Sequence, residues 1–435
     1  MQTKGLCTFC FKWVDAFVVN KNNGEVFLQK LCPEHGISEI LLSRHAEYFI
    51  SLRDFYFKTH SKIFRQNRYL LFLTPRCNLS CPICFLGPKP ENHQDIEVID
   101  LAREFKDRNK ELILFGAEPT CHNDLIGVIE YLKKKQHTVS LYTNGIKLCD
   151  FEYAMKLKKS GVDKIYFQFD GFNDEAYEIL RKRQLLENKT EVLKNLKNLN
   201  IPVVLDVTVA KDVNHNEIGR IFDFALENKF IKAINFIAYV RSGRGRDYLN
   251  NNSLMPDEII DYVVTHTKGR ISREHIYKFQ KLLYVYMSLL NLRTCFYIQY
   301  FWLYRQGESE YMPLEEIINL DALEKILDKY VLIKERKGDS SALIFLITNI
   351  PRFISAIRNY RVFWEWIIMT MSHISRSSEY ANKSNNFLQL IFSTACDHYK
   401  ADLKIAERCH VGIIYKDDYK RISIKDENSL YLLNK

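Results

Sequence analysis

Cys77-Asn-Leu-Ser-Cys81-Pro-Ile-Cys84 puts three thiols on one C-x3-C-x2-C loop, directly after the apolar run Tyr69-Leu-Leu-Phe-Leu73. Thiolates are soft ligands, and three of them on one loop can hold three irons of a [4Fe–4S] cubane. The fourth iron is then left without a protein ligand. Electron-transfer ferredoxins fill that place with a distant fourth cysteine. An open position instead receives a small chelating molecule, as in catalytic metal sites generally. On spacing alone, most of a zinc site is the alternative reading.

A second ligand set precedes it. Cys7-Thr-Phe-Cys10 is followed by two β-rich runs joined through Lys21-Asn-Asn-Gly24, and then by Cys32-Pro-Glu-His35-Gly36. Asn-Gly between alternating runs is a hairpin signal. A hairpin brings its ends together, so Cys7, Cys10, Cys32 and His35 are expected to surround one ion, zinc or a rubredoxin-like iron. About sixty residues hold little core without such a staple, which makes a structural role the expectation.

The elements that must carry these ligands follow from the rest of the chain. At 435 residues, 47% apolar and 13% aromatic, it buries a sizeable core in two or three domains. Net charge is +9, with basic residues scattered beyond Lys133-Lys134-Lys135. A solvated surface fits this better than a nucleic-acid groove, with an anionic substrate or an acidic membrane surface as further alternatives. Eleven cysteines, several at metal-ligand spacing, and an opening Met1-Gln-Thr-Lys-Gly5 without a signal pattern favour a reducing cytoplasm. The longest apolar runs, 342–348 and 363–371, fall short of the roughly 20 residues that span a bilayer.

From 68 to 250, strands are expected at 69–74, 111–115, 138–143, 164–169, 203–209 and 233–240. Helices are expected at 96–108, 122–136, 151–160, 174–183 and 216–228. Six βα repeats predict a parallel sheet curled into a partial barrel, with the active site at the C-terminal ends of the strands. The notable residues fall there: the cysteine loop after the first strand and Gly116-Ala-Glu-Pro-Thr120 after the second. Thr143-Asn144-Gly145 follows the third, and Gln168-Phe-Asp170-Gly171 the fourth. Each Asn-Gly or Asp-Gly alone is only a turn; in register after successive strands they form a polar rim. Arg241-Ser-Gly-Arg-Gly245, after the sixth strand, offers two guanidinium groups to a carboxylate or phosphate.

The sequence resembles the radical S-adenosylmethionine (SAM) superfamily. Within it, the likeness is to the group containing archaeal tetraether lipid synthase and an archaeal pterin methyltransferase. Cys32-Pro-Glu-His-Gly36, the cysteine loop, Leu141-Tyr-Thr-Asn-Gly-Ile146 and Phe167-Gln-Phe-Asp-Gly171 carry the likeness. So does 207–219, with its Val-Asn-His-Asn-Glu-Ile-Gly. The resemblance implies an α/β partial (β/α)6 radical SAM barrel, a small metal-binding β-hairpin module before it and a mainly helical domain after it. The expected boundaries are 1–60, 61–250 and 251–435. It implies that Cys77, Cys81 and Cys84 hold a [4Fe–4S] cluster whose open iron is chelated by SAM. Gly116, Ala117, Glu118, Pro119, Asn144, Gln168 and Asp170 are the implied SAM contacts. Two departures stand out: Ala117 replaces the second Gly of a Gly-Gly-Glu-Pro motif, and Ile237 stands where a Gln is usual. Ala117 is compatible provided its φ is negative.

Relatives of this kind carry auxiliary clusters in the last third. Here that region offers Cys295, Cys396 and Cys409, with His398 or His410 as a further ligand, or else buried thiols. The apolar helices at 341–375 read as core packing, with a groove for a long acyl chain as the alternative. Cys121 and Cys149 read as packing residues. The implied function is reductive SAM cleavage to a 5′-deoxyadenosyl radical, then C–C bond formation or methylation on a lipid or small molecule. Ferredoxin or flavodoxin is the expected electron donor. No acid or base residue is required. A peptide maturase and a non-catalytic metal-binding scaffold are the alternatives.

Overall fold

The computed structural model describes residues 1–62, 64, 68–86, 95, 109–241, 243–245, 248–249, 253–375, 386–394, 399–409 and 411–414. The helix expected at 96–108 and the ligands Cys396, His398 and His410 lie outside the described residues.

The N-terminal unit is a four-stranded antiparallel meander, β1 (Gln2–Leu6), β2 (Trp13–Asn20), β3 (Val26–Cys32) and β4 (Gly36–Ser43). Gly24, at φ +81°, closes the expected β2–β3 turn, and the Asn23 side chain accepts from Glu25 N at 3.2 Å. Val14, Ala16, Val18, Val26 and Leu28 alternate onto one buried face. Ala16, Val18, Val26 and Leu28 pack in one core with Phe49, Leu52 and Phe55 of the helix Ala46–Thr59, while Val14 packs with Cys7 and Cys32.

The second sheet has ten strands. Its parallel body is β5 (Arg68–Phe72), β6 (Glu111–Phe115), β7 (Thr138–Thr143), β8 (Lys164–Gln168), β9 (Val203–Val209) and β10 (Ile231–Ala238), in sequence order. Each of the six lies within two residues of its expected start and end. Residues such as Leu71, Leu114, Leu141, Phe167, Leu205 and Phe236 point outward and are sealed by helices. Their neighbours along each strand point inward.

The last third is mainly helical, as expected, with Pro256–His266, Arg273–Leu289, Leu320–Thr348 and Tyr360–Ser375 the longest helices. It also lends four strands to the barrel sheet: β11 (Ile298–Arg305), β12 (Tyr311–Pro313), β13 (Phe387–Thr394) and β14 (Val411–Ile414). β13 runs parallel to β10, β11 and β12 follow antiparallel, and β14 pairs parallel with β5 at the opposite edge. Residues 399–404 also grip the N-terminal unit. Asp402 accepts from Thr3 Oγ1 at 2.6 Å and pairs with Arg53, and Lys30 donates to Tyr399 O at 2.9 Å.

The packing read for 341–375 holds on one face only. Ala342, Val362, Trp366 and Met369 are buried, whereas Leu343, Ile344, Ile347, Ile350, Ile354, Trp364 and Ile368 are each about half exposed.

Candidate functional site

The loop carrying Cys77, Cys81 and Cys84 leaves the top of β5 and is held from both sides. On one side, Gly116 follows β6 so closely that a Cβ there would sit 2.6 Å from Thr74 O. Ala117 N then donates to Thr74 O and Glu118 N to Arg76 O, both at 2.9 Å. Ala117 does not adopt a positive φ, so the departure from Gly-Gly costs no backbone strain. On the other side, the glycine loop after β10 packs on the cluster loop itself. Arg244 N donates to Cys84 O at 2.9 Å, and a Cβ on Gly243, at φ +55°, would meet Cys84 O at 2.5 Å. The backbone of the arginine–glycine loop is therefore a clamp on the cluster loop. Its glycines serve close backbone approach.

Glu118 is buried and braces the rim. Its carboxylate accepts from Thr120 N (3.1 Å), Thr120 Oγ1 (2.6 Å), Thr143 Oγ1 (2.6 Å) and Asn144 N (2.7 Å). Asn144 in turn donates to Asn78 Oδ1, inside the cluster loop, at 2.7 Å. Gly116, Ala117, Glu118, Pro119 and Asn144 thus form one hydrogen-bonded turn beside the cysteines. Gln168 and Asp170 join it through two cations that sequence reasoning missed. Arg181 bonds both oxygens of buried Asp170 (2.7 and 2.9 Å) and also Thr208 Oγ1 (3.2 Å). Burial opposes charge on this guanidinium, yet Asp170 and, to a smaller extent, Cys81 raise its pKa above the ordinary value. Lys189, buried in the helix Leu186–Asn198, donates to Asn144 O (2.7 Å), Gln168 O (2.8 Å) and Gln168 Oε1 (2.5 Å). Burial pushes its pKa down to about 7.

The donor set fits an iron–sulfur cluster. Cys77, Cys81 and Cys84 do not converge as a single-ion group, which a cubane with one thiolate per iron does not need. Burial, with Glu118 and the two other thiols nearby, pushes Cys77 up to about 12. Such a thiol becomes a thiolate only beside added positive charge, which iron supplies. Arg244 Nε, next to the clamp, is a buried donor with no partner among the described residues.

The N-terminal ligands converge on one ion. Cys7, Cys10, Cys32 and His35 present ligand atoms within 4.8 Å of one another. Cys32 Sγ lies 3.4 Å from His35 Nδ1, Cys7 Sγ 3.7 Å from it, and Cys10 Sγ 3.9 Å from Cys32 Sγ. Tetrahedral zinc spaces its ligands by about 3.4–3.8 Å. Despite burial, the N–H groups of Cys10 and Phe9 hold the Cys7 thiol below its ordinary value.

Cys295 and Cys409 are both buried near one another, and burial pushes Cys295 up to about 12. Cys149 packs against the Asn188 backbone, and Cys121 is half-buried.

Residues 71–225 match the family profile described as the Radical SAM superfamily, and residues 1–44 match the HMPTM N-terminal zinc ribbon domain. Over 467 aligned positions the chain is 27% identical to a 7,8-dihydro-6-hydroxymethylpterin dimethyltransferase of Methanocaldococcus jannaschii, covering 96% of this chain and 91% of that protein. The chain belongs to the radical SAM superfamily. It is a radical SAM enzyme carrying an N-terminal zinc ribbon, whose three cysteines and one histidine support a zinc ion. A probable GTP 3′,8-cyclase of Pyrococcus horikoshii is 30% identical over 159 positions, 36% of this chain and 51% of that protein. The chain thus spans about half the length of that relative. Among solved structures, Streptococcus suis SuiB bound to S-adenosylmethionine aligns with a TM-score of 0.42 at 14% identity, covering 59% of this chain and 72% of that one. No helix among the described residues is long and apolar enough to cross a membrane.

Proposed function

We propose that this radical SAM enzyme methylates a small nitrogen heterocycle of the pterin class. The supporting observation is the alignment with the pterin dimethyltransferase, which runs through ribbon, barrel and C-terminal third and covers 96% of the chain. It favours the small-molecule reading over the lipid and peptide ones. When bound, the cluster and SAM supply a 5′-deoxyadenosyl radical able to take hydrogen from an unactivated carbon.

The chain's own residues supply position and shelter. Cys77, Cys81 and Cys84 hold three irons. The turn 116–119 would present backbone carbonyls to SAM, while Glu118 fixes that turn and ties it to Asn144. Arg181, held by Asp170, offsets thiolate charge at Cys81. Lys189 ties the ends of β7 and β8 into one rigid rim. A ferredoxin or flavodoxin would deliver the electron.

The test is anaerobic reconstitution with iron and sulfide, then incubation with reductant, methyl-deuterated SAM and 6-hydroxymethyl-7,8-dihydropterin. A labelled methyl group gained by the pterin, taken from a second SAM that leaves as S-adenosylhomocysteine, is the expected result. Cleavage of SAM to 5′-deoxyadenosine with an unmodified pterin overturns the substrate class while leaving the enzyme class standing.

A further inference from the structure

The barrel interior is open where strands usually seal. Leu70, Tyr142, Gln168, Thr208, Ile237 and Ile391 face inward from central strands and keep partial exposure, while their outward neighbours are fully buried. The floor of this space is apolar and flat, built from Ile113, Val204 and the stacked rings of Tyr142 and Tyr166, 4.5 Å apart.

One wall is polar, across three adjacent strands. Ser393 Oγ on β13 donates to Asn235 Oδ1 on β10 at 2.9 Å, and Asn235 Nδ2 donates to Asp206 Oδ1 on β9 at 2.7 Å. Asp206 is 8% exposed, and its Oδ2 takes no hydrogen bond among the described residues. A carboxylate offers about four lone-pair sites. One is filled, and the other oxygen is not sealed among buried atoms, so it stays open to a donor from a ligand. Burial raises this acid to about 7, against the Asn235 hydrogen bond. Thr208, which accepts from Arg181, lies two residues further along the same face, about 6.6 Å higher.

We infer that Asp206, oriented by the Ser393–Asn235 ladder, is the specificity residue for the substrate, accepting paired N–H donors from the amino-pyrimidinone edge of a flat heterocycle. Two adjacent donors match two carboxylate oxygens, and the stacked tyrosines match a ring face. The opposite edge of the ring then faces Arg181 and the cluster loop. The inference deepens the pterin reading and rests on it for the orientation of the ring.

The test is anaerobic equilibrium binding to the reconstituted enzyme with SAM, using 6-hydroxymethylpterin, the matching lumazine (2-oxo in place of 2-amino) and guanosine. Asp206→Ala should weaken pterin binding about tenfold or more while moving lumazine less than about twofold. Asn235→Ala, which leaves the carboxylate in place, should show the same selectivity at smaller size. Zinc and iron content check that each variant folds. Unchanged pterin affinity in Asp206→Ala overturns the inference and leaves the pterin reading intact. Guanosine bound in an Asp206-dependent way, with pterin ignored, overturns the pterin reading and keeps the edge. Binding of none of the three by the wild type overturns both.

A different face carries a second inference. Ile344, Ile347, Ile350, Ile354, Trp364 and Ile368, on three consecutive helices, are each about half exposed. Arg352 stands between Ile350 and Ile354, and Arg361 shares a helix face with Trp364 and Ile368. Both are exposed and have no carboxylate partner among the described residues; Arg352 bonds only the neutral Asn349 side chain. Asp339 and Glu335, on the helix that carries Ile344 and Ile347, are paired with Lys62 and Lys58. Apolar anchors, an interfacial tryptophan and unneutralised arginines fit the surface of an anionic bilayer. We propose that this face docks there. Flotation with phosphatidylcholine vesicles containing phosphatidylglycerol should recover the protein, and salt or Ile347→Glu with Trp364→Glu should abolish recovery. Equal recovery on neutral vesicles, no recovery at all, or a dimer that those substitutions dissolve would overturn it.

Discussion

The two metal centres are built on opposite plans. The ribbon places four ligands at the ends of one short antiparallel meander, where they close on an ion-sized space without help from the rest of the chain. The cysteine loop offers three thiols and is shaped from outside, by Thr74 and Gly116 on one flank, Gly243 and Arg244 on the other and Asn144 above. A closed set saturates its metal and stabilises a fold; an open set needs a scaffold to keep the vacant position aimed and dry. The ribbon's neighbourhood is surface, with His35 exposed. The loop's neighbourhood is a layer of buried charge: Glu118, Asp170, Arg181 and Lys189.

Breaking each centre should leave the other standing. Cys81→Ala is expected to cut reductive SAM cleavage about a thousandfold or more, with zinc content unchanged. Iron counting and 5′-deoxyadenosine yield check it, and surviving cleavage would sink the three-cysteine assignment. Cys32→Ser should do the converse, losing zinc and about 3–5 kcal/mol of stability while iron loading persists. Metal analysis and denaturant unfolding read this out.

The buried charge makes a finer distinction. Lys189 titrates near 7 folded and at its ordinary 10.5 unfolded. Between those values the unfolded chain binds more protons, so unfolding free energy rises with pH across the window, and the full burial penalty is present below about 7. In the apo protein, Lys189→Met should remove about 3–5 kcal/mol of that rise, measured as denaturant midpoints from pH 7 to 10. Identical pH slopes would mean that Lys189 is not buried as described. The smallest effect belongs to His35→Cys. It should retain zinc and change stability by less than about 1 kcal/mol, since four cysteines suit the ion as well as three cysteines and a histidine do. Zinc loss there would show that the imidazole does more than ligate.

The same contrast explains what the sequence made legible. The ribbon ligands and the six strands could be read because each rests on local signals: a knuckle, an Asn-Gly turn, a short apolar run ending in a polar residue. Arg181 and Lys189 could not be read this way. Lys189 sits in Leu-Glu-Asn-Lys-Thr, which looks like a solvated helix, and only the return of that helix over β7 and β8 buries it. The clamp made by Arg241-Ser-Gly-Arg-Gly245 was hidden too, because glycines give no hint in sequence that their missing side chains make room for Cys84 and Phe85. The strands Ile298–Arg305 and Phe387–Thr394 are apolar on both faces, a pattern shared with buried helix segments. Asp206 carried no motif at all. Its position on an inward face became visible only through the register of β8, β9 and β10.

The pairing of β14 with β5 has a consequence for how the enzyme is made. β5 carries the cluster loop, yet one of its two edges stays unpaired until residues 411–414 arrive, more than 300 positions later. Asp402 likewise reaches Thr3 and Arg53 only after almost the whole chain has emerged. During synthesis, the strand beneath the future cluster is therefore a bare edge, able to pair with other chains. Closing such long loops is slow. Iron delivered to a nascent chain would meet thiols on an unsupported loop, which makes completion of the sheet the natural signal for loading the cluster.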